Sequence, residues 1–125
     1  MNRFLICTLP LAGHVNPALP VAHALVACGH EVWWYTGRKF RPAIEAVGAT
    51  YTPMQATAAT DVDDFFRKLP DLKGLQAANW GIKRAFIDPL PGQVADLQQI
   101  LTQFPADVIL CDQVFAGAEA VHDQP

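Results

Sequence analysis

The sequence has few of the features that mark membrane, secreted or nucleic-acid-binding proteins. Charged residues make up only 17% of its 125 positions and the formal net charge is −3. No cationic face is visible, which argues against nucleic acid or an anionic membrane as the main partner. Charges interrupt every long apolar stretch, so no segment is predicted to span a bilayer. The N-terminus does not have the pattern of a signal peptide, which favours a cytoplasmic location.

Cysteine is also scarce, and its three positions show no CxxC spacing. They are Cys7, Cys28 and Cys111. An odd number without metal-ligand spacing favours reduced core thiols over disulfides or a metal centre. The first predicted strand is followed by neither a Gly-x-Gly-x-x-Gly fingerprint nor a P-loop lysine, which is evidence against a tightly held cofactor. We therefore expect no cofactor and no metal.

The apolar pattern alternates between strands and helices. The predicted strands are Arg3–Thr8, Glu31–Thr36, Thr50–Met54 and Asp107–Cys111. The predicted helices are Pro17–Cys28, Arg38–Val47, Gly81–Phe104 and Gly117–Val121, with a break or kink near Pro89 and Pro91. This alternation predicts an α/β fold of Rossmann-like type, with a doubly wound parallel sheet of about four strands. The expected strand order is 3-2-1-4, because the chain builds outward from its first strand and then returns to that strand's other side.

The turn Leu9–Pro17 connects the first strand to the first helix and carries the main functional signal. Gly13 is expected to allow a sharp bend, Asn16 to cap the helix, and Pro17 to occupy its first position. His14 is then held at the carboxyl edge of the sheet, where open α/β sheets bind ligands. Histidine is well suited to accept a proton near neutral pH. A capping or packing histidine is the alternative interpretation.

Asp112 follows the fourth predicted strand. In a 3-2-1-4 sheet the first and fourth strands flank the topological switch point. We therefore predict that His14 and Asp112 meet across one crevice. A carboxylate there would fix the imidazole tautomer and stabilise the imidazolium. Capping of the following helix is the alternative role for Asp112.

Residues 55–80 interrupt the strand–helix alternation. Irregular insertions of this length are usually functional or mobile. Phe65, Phe66 and Trp80 supply aromatic surface that could line an apolar pocket. The alternative is that these side chains anchor short helices to the core.

Several segments together resemble the start of a GT-B glycosyltransferase of the UDP-glycosyltransferase superfamily. They are Gly13–Pro17, Pro20–Leu25, Gly29–Val32, Tyr35–Gly37, Phe40–Pro42 and Asp107–Asp112. The resemblance is strongest to the bacterial branch that glycosylates macrolides and other natural products. It covers nearly the whole chain and is loose over residues 55–80. A weaker similarity is to the peptidoglycan-precursor glycosyltransferase, which has a similar Gly-His turn, but the Asn16–Pro17 pair favours the natural-product branch.

The resemblance implies an inverting transfer of a sugar from a nucleotide-sugar co-substrate to a hydroxyl of a small apolar acceptor, such as a macrolide or polyketide. His14 would act as general base and Asp112 would orient it, with no metal required. The residues implied in substrate binding are Gly13, Asn16, Phe65, Phe66, Trp80, Phe86 and Phe115.

The family has two Rossmann-like domains, and the second holds most of the nucleotide-sugar site. The resemblance therefore implies that residues 1–125 are a partial N-terminal acceptor-binding domain, that the C-terminal donor domain is absent, and that the chain alone does not turn over. The fourth strand would then be an apolar edge, which predicts a risk of self-association. Two other classes stay open: a nucleotide- or cofactor-binding Rossmann module, and a non-catalytic module that binds a small molecule or a partner.

Overall fold

A computed structural model describes residues 1–56, 73–113 and 115–122. Its sheet contains β1 (Arg3–Cys7), β2 (Glu31–Thr36), β3 (Thr50–Pro53) and β4 (Val108–Cys111). All neighbouring strands are parallel and their order is β3-β2-β1-β4. The predicted fold class and strand order are confirmed. Cys7 of β1 lies opposite Tyr35 of β2 on one side and Cys111 of β4 on the other.

Helices cover both faces of this sheet. They are α1 (Ala12–Val15), α2 (Leu19–Ala27), α3 (Arg41–Ala46), α4 (Leu75–Ile82), α5 (Leu90–Gln103) and α6 (Ala116–His122), with 3-10 turns at Asn16–Ala18 and Arg38–Phe40 and a π-helical turn at Lys83–Ile87. Side chains of α2 and α3 pack on one face, and side chains of α5 and α6 pack on the other. Within the described ranges, every helix is too short or too polar to cross a bilayer.

The two tryptophans of β2 show how the sheet separates these layers. Successive strand side chains point to opposite faces. Trp33 therefore packs against the α5 cluster, the buried apolar side chains around Leu97 and Ile100. Trp34 belongs to the α2 cluster, the buried apolar side chains around Ala22 and Ile44. The Trp33 ring stacks on Phe104 with centroids 4.6 Å apart. The Trp34 indole N–H donates to Thr8 Oγ1 at 2.9 Å.

The helix after β1 begins earlier than predicted. Leu11 has the extended backbone of an N-cap, with φ −127° and ψ 135°, whereas Asn16 is helical, with φ −58° and ψ −42°. The expected capping role of Asn16 is therefore wrong, because an N-cap needs a non-helical backbone. Pro17 and Pro20 have no N–H to donate, so the helical ladder is divided into α1, a 3-10 turn and α2.

The predicted helix over Gly81–Phe104 is two helices. The first, α4, begins after Gly74, whose φ of +62° glycine tolerates well. The predicted break is confirmed, because Pro89 is the N-cap of α5 and a proline occupies its first turn. The half-buried Trp80, placed in the irregular insertion by the sequence, lies on α4.

The contact between α5 and α6 gives a stability prediction. A Cβ atom on Gly117 would lie 2.5 Å from Gln93 Cβ and 2.8 Å from Gln93 Oε1. We expect Gly117→Ala to destabilise the chain by about 1–3 kcal/mol, because one of two packed helices must shift. Urea unfolding measures this. Gly81→Ala is the matched control, since its Cβ would meet no atom within 4 Å. A midpoint for Gly117→Ala equal to that of the unmodified chain would contradict the prediction.

The thiols do not all lie in the core. Cys7 is buried as expected, but Cys28 and Cys111 are exposed. The expectation is wrong for Cys111 because β4 lies at the edge of the described sheet, where the side chain is covered less. Partial burial, and then the negative charges of Asp112 and Glu119, raise the pKa of the Cys111 thiol. Burial, and then the charges of Cys111 and Asp112, raise the pKa of Cys7 well above its usual range.

These environments predict an order of reaction with iodoacetamide. The thiolate is the reactive form, and a raised pKa lowers its fraction at pH 8. Cys28 should therefore be alkylated first and Cys111 more slowly, while Cys7 should react only after unfolding. Peptide mass spectrometry over time measures the three rates. The rate of Cys111 should rise steeply between pH 8 and pH 10, and a rate for Cys111 at pH 8 equal to that of the unfolded chain would contradict the prediction.

Candidate active site

Asp112 lies one residue past β4, directly beside the end of β1. Its backbone N–H donates to the Cys7 carbonyl at 3.2 Å, which extends the β1–β4 pairing by one residue. Its carboxylate points toward the loop that follows β1, where Oδ2 accepts the Leu9 N–H at 2.9 Å. The strand end and the loop therefore fix the position of this carboxylate.

His14 reaches the same carboxylate from α1. Its backbone N–H donates to the Leu11 carbonyl at 2.9 Å, within the first turn of the helix. Its side-chain Nδ1 lies 3.3 Å from Asp112 Oδ2. The His14 and Asp112 side chains are 31% and 14% exposed, so the pair is partly shielded but reachable from solvent. The structure brings together the two residues that the sequence singled out.

This contact defines what the imidazole can do. When Nδ1 carries the proton and donates it to a carboxylate, the lone pair of the neutral ring lies on Nε2. A positive charge that forms when Nε2 takes a proton is stabilised by the carboxylate on the other side of the ring. The arrangement suits a general base that acts on a hydroxyl in front of the exposed ring.

The loop that carries His14 is held at three points. Leu9 is buried in the α5 cluster, and Val15 is buried in the α2 cluster. Between them, Pro10 packs against the backbone of Gly37 at the end of β2, where a Cβ atom would lie 2.7 Å from Pro10 Cβ. Gly37 has φ −69°, so glycine serves here by leaving space and not by its backbone freedom. These contacts therefore hold the segment from the end of β1 through α1, which carries the imidazole.

Gly13 and Asn16, both predicted substrate contacts, are exposed beside this loop. The expected conformational reason for Gly13 is wrong, because it lies inside α1 and does not have a positive φ. A Cβ atom at Gly13 would meet no other atom within 4 Å. Among the described residues nothing covers this side of α1, so a side chain there would contact a molecule that approaches the site from that side.

The predicted aromatic contacts divide into two groups. Phe115 is only 2% exposed and packs edge-on against Tyr35, with ring centroids 5.8 Å apart. In this structure Phe115 is a core residue and not an exposed contact surface, because the turn after β4 directs it under α5. Trp80 is half-buried on α4. Phe65, Phe66 and the side chain of Phe86 lie outside the described residues.

Asp96 is a buried polar residue near the site that the sequence reasoning missed. It lies on α5 and is 5% exposed. Its Oδ2 accepts the Tyr35 hydroxyl at 2.6 Å and the Gln55 N–H at 3.0 Å, and its Oδ1 accepts the Ala56 N–H at 2.8 Å. The sequence pattern could have indicated this residue, because Asp96 lies beside Leu97 on the buried side of α5, where an acidic residue must be hydrogen-bonded.

Metal ligation finds no support among the residues that the structure describes. No three His, Cys, Asp or Glu side chains lie together there in a group that could hold a metal ion.

The sequence is similar to glycosyltransferases over nearly its whole length. It is 40% identical over 130 residues to 4'-demethylrebeccamycin synthase of Lentzea aerocolonigenes, covering 98% of this chain and 30% of that protein. It is 29% identical over 127 residues to UDP-glucosyltransferase B1 of Starmerella bombicola, covering 92% and 28%. The calicheamicin glycosyltransferase CalG4 matches the whole chain with a TM-score of 0.77 at 19% identity, over 31% of its own length. No protein-family model matches.

The fold and the His14–Asp112 pair define a Rossmann-like domain with a histidine–carboxylate site at its switch point. The fold matches the N-terminal half of GT-B glycosyltransferases. The resemblance to UDP-glycosyltransferases and antibiotic glycosyltransferases is confirmed. The chain spans about 30% of the length of these relatives.

Proposed function

We propose that this chain supplies the acceptor side of an inverting glycosyltransferase, which moves a sugar from a nucleotide sugar to a hydroxyl of a small apolar natural product. The observation that carries the proposal is the 3.3 Å contact between His14 Nδ1 and Asp112 Oδ2 at the carboxyl edge of the sheet. The 40% identity to 4'-demethylrebeccamycin synthase supports a natural-product acceptor.

In the proposed reaction the acceptor hydroxyl donates its hydrogen bond to His14 Nε2. The acceptor oxygen attacks the anomeric carbon, and the bond from that carbon to the nucleotide diphosphate breaks on the opposite face. The diphosphate leaves with the bonding electrons, and the hydroxyl proton passes to Nε2. Asp112 stabilises the imidazolium through Nδ1–H. Attack opposite the leaving group inverts the anomeric centre, and neither a cofactor nor a metal enters the step.

The proposal assigns residues 1–125 to a partial N-terminal acceptor-binding domain. It assigns nucleotide-sugar binding mainly to a C-terminal domain of the kind that this family carries, so the 125-residue chain by itself is expected to transfer no sugar. We also propose a cytoplasmic location.

We also propose that the isolated chain self-associates through β4. Among the described strands β4 pairs only with β1, and its Val108 side chain is 38% exposed. An apolar strand edge of this kind favours association. Sedimentation velocity at increasing concentration of the 125-residue chain tests this, and a monomer at every concentration would contradict it.

Activity can be tested in a hybrid protein. This chain would replace the matching segment of 4'-demethylrebeccamycin synthase from Lentzea aerocolonigenes; we refer to this protein as the hybrid. The assay supplies TDP-glucose or UDP-glucose with 4-methylumbelliferone, a small aromatic hydroxyl compound, as the acceptor probe. The unaltered synthase is the positive control. We expect glucoside formation by the hybrid, with the sugar inverted at its anomeric carbon.

A folded hybrid that binds nucleotide and probe but forms no glucoside, under conditions in which the synthase does, would contradict the proposal. Gly13→Ala adds a test of the acceptor side. Because that methyl group meets no atom of the described residues within 4 Å, a raised KM for the probe without loss of stability would support contact between acceptor and Gly13. A non-catalytic binding module would instead bind the probe without any transfer that depends on His14.

A further inference from the structure

The buried carboxylate of Asp96 holds two backbone amides that the sheet does not pair. Gln55 and Ala56 follow β3, and their N–H groups donate to Asp96 at 3.0 and 2.8 Å. The Tyr35 hydroxyl donates to the same carboxylate at 2.6 Å. Hydrogen bonds to an ionised acceptor are stronger than neutral ones. Asp96 therefore fixes the path of the chain as it leaves the sheet.

This point of exit lies at the same edge of the sheet as the His14–Asp112 pair, because β3, β1 and β4 are parallel and the residues follow their carboxyl ends. Met54, which directly precedes the two held amides, packs in one apolar cluster with Leu9 of the His14 loop. The exit from β3 and the loop that carries the base therefore share a common support.

A second contact path connects Asp96 to Asp112. The ring of Tyr35 packs edge-on against Phe115, and the Phe115 N–H donates to the Asp112 carbonyl at 3.0 Å. Asp96 thus contacts the exit from β3 directly and reaches the Asp112 turn through two buried rings. A displacement of Tyr35 would therefore disturb both the exit from β3 and the turn that contains Asp112.

Packing alone does not explain an acidic residue at this position. Asp96 lies beside Leu97 on the buried side of α5, with Ile100 one turn further. An apolar side chain there would avoid the desolvation of a carboxylate. An apolar residue, however, has no acceptor for the N–H groups of Gln55 and Ala56.

We propose that Asp96 is a positioning residue for acceptor binding: it holds the chain leaving β3 against the core, at the same edge of the sheet as the His14–Asp112 pair, and thereby sets the affinity for the small apolar acceptor. The inference rests on the proposed function, since that names the acceptor. Asp96 lies under the exit segment and does not touch the reacting atoms.

Amide hydrogen exchange on the 125-residue chain tests the first step without any need for activity. Asn at position 96 keeps one carbonyl oxygen, so it can satisfy one side of the carboxylate's contacts but not both. We expect Asp96→Asn to speed exchange of the Gln55 or Ala56 amide about 10-fold or more, while the β1 amides stay protected. Asp107→Asn is the matched control, because Asp107 accepts the Arg3 N–H at 2.7 Å at the opposite edge of the sheet.

The second step is measured with 4-methylumbelliferone as the probe. Fluorescence titration of the 125-residue chain should show that Asp96→Asn raises the Kd for the probe about 10-fold, whereas Asp107→Asn leaves it unchanged. In the hybrid, KM for the probe should rise by a similar factor while kcat changes less than about threefold. If Asp96 only stabilised the fold, Asp96→Asn would lower stability and kcat without a selective rise in KM for the probe.

Unchanged exchange at both Gln55 and Ala56, or faster exchange with an unchanged Kd, would overturn the inference. If the Asp96 variant does not fold, Ala56→Pro removes one of the held amides at an exposed position, and an unchanged Kd for that variant would overturn the inference equally. Absence of glucoside formation by the hybrid would instead contradict the proposed function, because the exchange and binding measurements are read without transfer.

Discussion

His14→Ala is expected to lower kcat for glucoside formation by the hybrid about 10²- to 10⁴-fold, the usual contribution of a positioned general base. The variant lacks the Nε2 atom that would take the acceptor proton, and it leaves the Asp112 carboxylate with one partner fewer at Oδ2. KM for the acceptor should change little, because the exposed imidazole supplies only a small part of the contact surface. Steady-state kinetics with varied acceptor concentration separate the two constants.

His23→Ala is the matched control for this prediction. His23 lies on α2 and is exposed, so its removal takes away the same ring without affecting the site. We expect wild-type kinetics from that variant. A His14→Ala hybrid that retains more than about one tenth of the wild-type rate would mean that another group accepts the proton.

Asp112→Ala is expected to have the second largest effect. It removes the carboxylate that lies 3.3 Å from His14 Nδ1 and accepts the Leu9 N–H. Hydrogen bonds to charged groups contribute about 1.5–3 kcal/mol, which corresponds to a decrease in rate of roughly 10- to 150-fold. The freed Leu9 amide should also lower the free energy of unfolding by about 1–3 kcal/mol.

The tautomer of His14 gives a direct readout for this variant. In the unmodified chain at pH 8, the ¹⁵N shifts of the ring should report a proton on Nδ1 and a lone pair on Nε2. Asp112→Ala should remove this preference, whereas Asp107→Ala at the opposite edge of the sheet should leave it unchanged. If both residues act as one unit, the double variant His14→Ala/Asp112→Ala should be scarcely slower than His14→Ala. A fully additive loss would contradict a shared role.

Features that follow from strand topology could be predicted from the sequence. The alternation of strands and helices implies the order 3-2-1-4, and that order places the residues after β1 and β4 side by side. His14 and Asp112 are nearly one hundred positions apart, yet their proximity needed no information beyond the topology. Gly29 and Gly48 end helices with φ of +87° and +89°, as their positions in the pattern indicate.

Features that depend on side-chain packing could not be predicted in this way. The start of α1 at Ala12 depends on the Leu11 carbonyl, which accepts two N–H groups, while the sequence offered the more typical cap residue Asn16. The burial of Phe115 depends on how the turn after β4 passes under α5. The role of Asp96 depends on donors from β2 and from the residues after β3, which no local pattern relates to α5.

The close approach of Gly37 to Pro10 bears on how this scaffold can be diversified. Any side chain at position 37 would meet the ring of Pro10, so we expect Gly37→Ala to disturb the segment between β1 and α1 that leads to His14. Substitutions intended to change ligand recognition can therefore be made at exposed surface positions, whereas position 37 does not tolerate a side chain in the same way. Libraries built on this chain should retain glycine there, although the residue belongs to neither member of the His14–Asp112 pair.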